Sequence, residues 1–384
     1  MFSLPFGLTK YGDSQIMIDY TKDDRTVLTL DAGGTNMVFS AIRGLNEVAG
    51  PITLPTEGHS LELCLRNMKK GFMQLISELS VEPAALSFAF PGPANYARGI
   101  IRDLPNLPAF SGGVALGPIL EEEFKKPVFI NNDGNLFAYG EANFGFLPDI
   151  NKKLQDAGSE KRFKNLIGVT LGTGFGGGIV VNGNLLLGDN SNAAEIWLTR
   201  NKLYPNANAE ESIGVGALKA KYALNADISP VDCPDPGFIF EIALGKKEGN
   251  RNAALRAFAE MAVVLGDSLA NLVNIIDGLV VLGGGISSAY PLFMDVVINE
   301  MNSTLNNTDG KSYNRMPVKA YNLEKEEGLK DFISLKPKKV RYKGSIESLV
   351  MDTEDRTGVA VSKLGANKAI ALGAYSIALK NLDQ

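Results

Sequence analysis

Short apolar runs alternate with glycine-rich turns and with amphipathic stretches along most of the chain. Apolar, β-branched runs bounded by turn residues predict buried strands, and apolar positions three and four residues apart predict helices. The predicted strands are residues 25–30, 37–42, 84–90, 126–130, 166–171, 179–181, 185–187 and 278–282. The predicted helices are residues 60–79, 118–124, 136–144, 215–224, 252–274 and 365–379. Strands that alternate with helices indicate an α/β fold.

Three segments lack this regularity and are mainly polar. We expect residues 1–25 to form an irregular arm, residues 147–165 a solvated loop or surface helix, and residues 311–343 a surface segment. The total length of 384 residues suggests two domains on the usual size range.

A glycine-rich turn joins the first two predicted strands. It consists of Asp31, Ala32, Gly33, Gly34, Thr35 and Asn36. Glycine lets backbone amides approach a phosphate closely, because no Cβ intervenes. Asp31, at the strand end, can hold Mg²⁺, usually through water. An ordinary hairpin turn would explain the glycines, but not their combination with Asp31 and Thr35.

A second turn of this kind follows the strand at 166–171. It consists of Gly172, Thr173, Gly174, Phe175, Gly176, Gly177 and Gly178. Three of these glycines match the spacing of the dinucleotide fingerprint, but that fingerprint must open a helix, and here a strand and a hairpin turn follow. The two glycine hairpins, about 140 residues apart, resemble the halves of a duplicated fold. Two opposed hairpins could clamp a polyphosphate, an arrangement suited to phosphoryl transfer.

A polar run closes the strand at 126–130, just before a predicted helix. It consists of Asn131, Asn132, Asp133, Gly134 and Asn135. In open α/β sheets this strand end is where ligands bind. Asp133 can accept the proton of a hydroxyl group, and the neighbouring amides can orient that hydroxyl. The alternative is that Asp133 only caps the helix.

The remaining candidate residues have weaker signals. Gly283, Gly284 and Gly285 end the strand at 278–282 and would permit close approach of a flat group such as adenosine, or form a tight turn. Asn106 lies between two prolines, where a simple turn residue is the favoured interpretation. The carboxylates of Glu195 and Glu211 could hold the hydroxyls of a polyol; the favoured alternative is an exposed loop acid and a helix-start acid, respectively.

Composition narrows the classes of function. The formal net charge is −5 and no long basic cluster is present, so nothing supports a nucleic-acid partner. Cys64 and Cys233 form neither a metal-ligand pair nor a disulfide framework, which fits a reducing, cytoplasmic setting. The N-terminal residues lack the pattern of a secretory signal, and no uninterrupted apolar run would span a bilayer. The single histidine, His59, leaves little basis for a Ser-His-Asp triad.

Taken in order, these motifs resemble the ROK group of sugar kinases and sugar-responsive repressors, within the actin/hexokinase-like ATPase superfamily. The resemblance extends from about residue 26 to residue 379. Each motif alone is weak, whereas five motifs in the same order are specific. The matching segments are residues 31–36, 90–93 with 105–108, 132–135 with 140–141, 172–178, and 282–287.

The resemblance implies two ribonuclease-H-like α/β domains, each with a mixed five-stranded sheet, flanking a central cleft. Residues 1–130 would form the N-terminal domain, joined by a C-terminal helix at 365–384, and residues 131–364 the C-terminal domain. Family members are often dimers or tetramers, so a homodimer is a further expectation.

The resemblance also implies an activity: transfer of the ATP γ-phosphate to a hexose or N-acetylhexosamine hydroxyl, O6, with Asp133 as general base. Asp31 would organise Mg²⁺. The implied nucleotide contacts are Asp31, Gly33, Gly34, Thr35, Asn36, Gly172, Thr173, Gly174, Gly176, Gly283, Gly284 and Gly285, and the implied sugar contacts are Asn106, Asn132, Glu195 and Glu211.

The chain departs from the family beside Glu195. Many members place a histidine there that meets a zinc ion, but this chain has Leu198 at that position and no cysteine in residues 203–211. We therefore expect no zinc site. Trp197 could offer the sugar a stacking face instead; the favoured alternative is a packed core indole.

Two other functions compete with the kinase. A sugar-responsive repressor would need a helix-turn-helix domain ahead of the first strand, and that strand begins near Thr26, leaving no room for it. A sugar-binding protein without catalysis is suggested by the altered region after Glu195, whereas the intact Asp31 and Asp133 favour an enzyme.

Overall fold

The computed structural model describes residues 20–102, 104, 107–342, 347–352 and 354–384. Asn106, a predicted sugar contact, lies outside the described residues, as do residues 1–19 of the predicted N-terminal arm.

The first half of the chain forms an α/β unit around a five-stranded mixed sheet. Its elements are β1 (Val27–Ala32), β2 (Asn36–Arg43), β3 (Asn46–Pro55), α1 (Leu61–Glu78), β4 (Ala85–Ala89), β5 (Ala94–Asn95), β6 (Ile100–Ile101), α2 (Leu116–Phe124) and β7 (Val128–Asn131). The strand order is β3-β2-β1-β4-β7, in which β1, β2 and β3 form an antiparallel meander and β4 and β7 run parallel to β1. Asp31, Ala89 and Asn131 lie in one row across the three parallel strands. The glycine turn and the polar run therefore meet at the same sheet edge.

Helix α1 covers one face of this sheet because its apolar residues share one side. Ser60 caps the helix by accepting a hydrogen bond from the backbone N–H of Leu63. The buried residues include Cys64, Met68 and Phe72, spaced four apart. The Phe72 ring meets Phe39 of β2 edge to face, with 5.1 Å between ring centroids.

The second half of the chain forms an α/β unit of similar design around a six-stranded sheet. Its elements are α3 (Asp133–Phe144), α4 (Phe146–Asp156), β8 (Leu166–Leu171), β9 (Phe175–Val181), β10 (Asn184–Leu185), α5 (Val215–Ala226), α6 (Pro236–Ala243), α7 (Arg251–Ile276), β11 (Leu279–Gly283), α8 (Tyr290–Met301), β12 (Thr304–Asn306), β13 (Ser312–Asn314), β14 (Lys319–Asn322), α9 (Glu326–Ile333), β15 (Pro337–Tyr342), β16 (Glu347–Asp352) and β17 (Arg356–Val361). The strand order is β10-β9-β8-β11-β17-β14. Strands β8 to β10 again form an antiparallel meander, and β11, β17 and β14 run parallel to β8. The α/β class and the duplicated design are confirmed.

One detail of the prediction is wrong, because the charged residues of segment 311–343 obscured its buried positions. The second sheet has six strands rather than five, because β14 from the expected surface segment 311–343 pairs with β17. Tyr321 of β14 and Phe332 of α9 are buried. Segment 147–165 begins with α4, a surface helix as expected, whose Leu147, Ile150 and Leu154 are buried on one side.

The last helix, α10 (Ala366–Leu382), returns to the first sheet and crosses α3. Backbones touch at this crossing: a Cβ placed on Gly140 would lie 2.0 Å from the carbonyl oxygen of Ala369, and one on Gly373 would lie 2.0 Å from that of Leu136. Helix α3 also packs against β8 and β9, so the two helices connect both sheets. The domain boundary between residues 130 and 131 stays a prediction.

Helix α7 is long and apolar enough to cross a membrane by length and composition, and within the described residues it is the only such helix. Its Phe258, Met261, Leu265 and Leu269 are buried in the core of the second half. Such burial is expected of a central helix in a globular domain.

Candidate active site

Two adjoining cavities occupy the cleft at the ends of the parallel strands. The first, here called the glycine cavity, measures about 460 Å³ and is lined by residues that include Asp31, Thr170, Gly174, Glu210 and Asn367. The second, here called the indole cavity, measures about 650 Å³ and is lined by residues that include Pro93, Tyr96, Asn132, Ser191 and Glu195. Both cavities are lined by Asp133, Gly176 and Trp197.

The carboxylate of Asp133 is free of a capping role. The cap of α3 is Asn132, whose Oδ1 accepts a hydrogen bond from the Asn135 N–H at 2.6 Å. Asp133 is the first helical residue and is exposed, and its Oδ1 accepts a hydrogen bond from the Gly134 N–H at 2.9 Å. The capping interpretation is therefore wrong for Asp133 and right for its neighbour. The carboxylate remains open to both cavities.

Asp31 lies at the end of β1 on the wall of the glycine cavity. Its side chain is open to the cleft, yet the surrounding protein removes part of its hydration. This desolvation and, secondly, the negative charge of Asp133 raise the pKa of Asp31 above its usual value. Asp31 and Asp133 thus line one cavity, whose described lining residues include no lysine or arginine, a setting that favours a bound cation.

The predicted nucleotide glycines divide between those that line the cavity and those that do not. The glycine cavity is lined by Asp31, Gly172, Thr173, Gly174, Gly176 and Gly284. The structure does not place Gly33, Gly34, Thr35, Asn36, Gly283 or Gly285 on its wall. Gly283 has a packing reason for being glycine, because a Cβ there would lie 2.5 Å from the Phe137 ring.

Some of these glycines are not required by protein packing. A Cβ on Gly34, Gly172 or Gly285 would meet no atom within 4 Å, and none of the three has a positive φ. By contrast, Gly284 has a φ of +85° and its Cβ would lie 2.4 Å from the Leu171 carbonyl oxygen. The open space beside the first group is available to a ligand.

The two predicted sugar glutamates have different surroundings. Glu195 lines the indole cavity, and its Oε2 accepts a hydrogen bond from the indole N–H of Trp197. Glu211 lines neither cavity. Its neighbour Glu210 lines the glycine cavity, where its Oε2 accepts a hydrogen bond from the Phe175 N–H at 2.8 Å. The structure therefore brings Glu210, and not Glu211, into the site.

Sequence reasoning missed several lining residues. The two adjacent acids, Glu210 and Glu211, indicated that one of them could line the site, but the sequence did not show which one. Thr170 could have been found from its place at the end of β8. Asn367 had no signal, because it reaches the cavity only through the return of α10 to the first sheet.

Comparison with known proteins decides the family. The ROK family model matches residues 27–200. The crystal structure of a glucokinase from Parabacteroides distasonis matches 94% of this chain and 99% of its own, with 49% sequence identity and a TM-score of 0.85. The chain belongs to the ROK family.

Other relatives are also named as sugar kinases. A glucokinase from Halalkalibacterium halodurans is 26% identical over 290 residues, which are 69% of this chain and 82% of that protein. An N-acetyl-D-glucosamine kinase from Vibrio parahaemolyticus is 30% identical over 170 residues, 44% of this chain and 51% of that protein. This ROK protein is an ATP-dependent carbohydrate kinase, as the motifs predicted. The roles of single residues, the absence of zinc and the homodimer stay predictions.

Proposed function

We propose that this ROK kinase transfers the γ-phosphate of ATP to the O6 hydroxyl of glucose or of an N-acetylated hexosamine, with Asp133 as general base. The observation that carries the proposal is the position of Asp133 on the wall shared by the glycine cavity and the indole cavity. A base at that junction would reach the acceptor hydroxyl at the point where the sugar and the phosphate meet. Glucose has priority because a glucokinase matches 94% of this chain at 49% sequence identity.

In the proposed reaction, the sugar oxygen forms a bond to the γ-phosphorus while the bond to the β–γ bridging oxygen breaks. The hydroxyl proton passes to the carboxylate of Asp133. The sugar would lie in the indole cavity, where the Asn132 amide and the Glu195 carboxylate can pair with its hydroxyls. The amides of the second glycine turn would hold the phosphates in the glycine cavity. Positioning and electrostatics supply most of the rate enhancement in this chemistry.

Asp31 fits the role of a magnesium anchor, held through water. Mg²⁺ in kinases is bound by one or two carboxylates together with substrate phosphates, and Asp31 and Asp133 face one cavity. Among the described residues, no group of three or more His, Cys, Asp or Glu side chains is arranged to hold a metal ion alone. When bound, the ion neutralises charge on the phosphates.

The test is ADP release from Mg-ATP with glucose, mannose, fructose, N-acetylglucosamine, N-acetylmannosamine and glucosamine. We expect sugar-dependent release with glucose or an N-acetylated hexosamine. The 6-deoxy analogue of the active sugar should bind and inhibit competitively without supporting release, because it lacks the O6 nucleophile. Turnover of that analogue would disprove O6 transfer, and sugar binding without any release would instead indicate a binding protein.

The pKa of Asp31 leads to a prediction on stability. A carboxyl with a raised pKa binds its proton more tightly when the protein is folded, so folding becomes less favourable as pH rises from the usual Asp value through the raised one. We expect Asp31→Asn to lower Mg-ATP turnover about 100-fold or more. We also expect it to increase the thermal stability of the ligand-free protein at neutral pH.

Thermal unfolding at neutral pH and below the usual Asp pKa tests this expectation. The gain in thermal stability of Asp31→Asn should disappear at the lower pH, since Asp31 is then protonated in both folded and unfolded wild-type protein. A gain of equal size at both pH values would show that Asp31 ionisation is not its cause.

Gly284 and Gly285, which follow strand β11, provide a matched pair of substitutions in the turn that could approach adenosine. Gly284→Ala should destabilise the protein by about 2 kcal/mol or more, because the new Cβ meets the Leu171 backbone at positive φ. Gly285→Ala should leave the melting temperature unchanged but raise the KM for ATP several-fold, since only a ligand would contact its Cβ. Unfolding curves and steady-state kinetics separate the two effects. An unchanged KM in Gly285→Ala would remove this residue from the nucleotide site.

A further inference from the structure

Trp197, the only tryptophan of the chain, stands at the junction of the two cavities. It belongs to a single turn of 3₁₀ helix at Ile196–Leu198. Ile196 anchors this turn: its side chain is buried, and it fills the space beside Gly177 so closely that a Cβ on Gly177 would lie 2.5 Å from it. The backbone that carries Trp197 is therefore fixed against β9.

The indole of Trp197 is only partly a core residue. It packs against the hydrophobic core of the second half and also lines both cavities. The packed-core interpretation from the sequence is thus incomplete. A ring held on one side by the core is a rigid platform on its other side.

The indole N–H donates a hydrogen bond to Oε2 of Glu195, whose side chain is exposed. A free, exposed glutamate samples many rotamers and would lose that freedom on binding a sugar. The indole N–H only donates and does not titrate. Its bond to Oε2 therefore leaves Oε1 of Glu195 to accept a hydrogen bond from substrate.

The carboxylates of Glu195 and Asp133 both lie near Tyr96, which lines the same indole cavity. Burial raises the pKa of Tyr96, and the carboxylates of Asp133 and Glu195 raise it further. Tyr96 donates its own hydroxyl proton to the Phe90 carbonyl oxygen at 3.1 Å, so it does not compete for the two acids.

We propose that Trp197 is a positioning residue, which holds the Glu195 carboxylate in the orientation that accepts a sugar hydroxyl in the indole cavity. The inference rests on the proposed function, because it takes the indole cavity to be the sugar site. In this chain, the hydrogen-bonded pair of Trp197 and Glu195 orients the sugar.

The wild-type protein supplies the first test, since all tryptophan fluorescence comes from Trp197. Titration with glucose, or with whichever sugar supports ADP release, should change the emission saturably, with a midpoint near the sugar dissociation constant. Unchanged emission at saturating sugar, in protein that turns over that sugar, would overturn the inference and leave the kinase assignment intact.

The second test is a double-mutant cycle of Trp197→Phe and Glu195→Ala. Trp197→Phe keeps an aromatic ring and removes the donor; we expect the sugar KM to rise about tenfold, with kcat and the ATP KM changed less than about threefold. In the Glu195→Ala background the same substitution should have no further effect on the sugar KM. Equal increases in both backgrounds would show that Trp197 acts independently of Glu195. Loss of all turnover in wild type would instead contradict the proposed function.

Discussion

Asp133→Asn is expected to lower kcat at least about a thousandfold while sugar affinity stays within about threefold. The amide has the shape of the carboxylate, and its Oδ1 can still accept the hydrogen bond from the Gly134 N–H. An amide cannot take up the hydroxyl proton, so the loss falls on the chemical step. ADP release measures turnover, and calorimetric titration with the active sugar measures binding.

A matched control is Asp156→Asn, which makes the same change at an exposed acid at the end of α4, outside both cavities. Its kcat should equal that of the wild type. If Asp133→Asn kept more than about a tenth of wild-type kcat, Asp133 could not be the general base.

Gly140→Ala is expected to have the largest effect on folding. The new methyl group would lie 2.0 Å from the Ala369 carbonyl oxygen, and both partners belong to helix backbones that cannot yield separately. This clash is relieved only if α3 and α10 move apart, and that movement loosens the packing of the two helices that connect the sheets. We expect the free energy of unfolding to fall by about 3 kcal/mol or more. Urea unfolding, followed by circular dichroism, measures the change.

Gly216→Ala is the control for this variant. Gly216 is also helical, in α5, but it is exposed and a Cβ there would meet nothing within 4 Å. The alanine should stabilise the helix by up to about 1 kcal/mol, because glycine is the poorer helix former. If the Gly140 and Gly216 variants behaved alike, the close crossing of α3 and α10 would not limit stability.

Sequence patterns predicted the elements that carry their own local signal. The strand pairs around both glycine turns and the amphipathic helix α1 were recognisable because apolar spacing and turn residues agree there. The glycine turns and Asp133 could be proposed as a site because strand ends gather at a common edge.

The missed features depend on contacts between distant parts of the chain. Strand β14 and helix α9 were hidden among charges that face solvent, while Tyr321 and Phe332 face a core made by other segments. The choice between Glu210 and Glu211 depended on the rotation of a short 3₁₀ turn, which residue spacing does not fix. The hydrogen bond between Trp197 and Glu195 likewise required side-chain placement.

The return of α10 to the first sheet has a consequence for protein synthesis. Leu372, Tyr375 and Leu379 of α10 complete a small core with Tyr20 and Val27 from the other end of the chain. As the ribosome delivers the chain, β1 to β7 emerge early, but this part of their core cannot close until α10 has left the exit tunnel. The nascent first half must wait through the synthesis of the whole second half with an uncovered apolar face, the state that chaperones recognise.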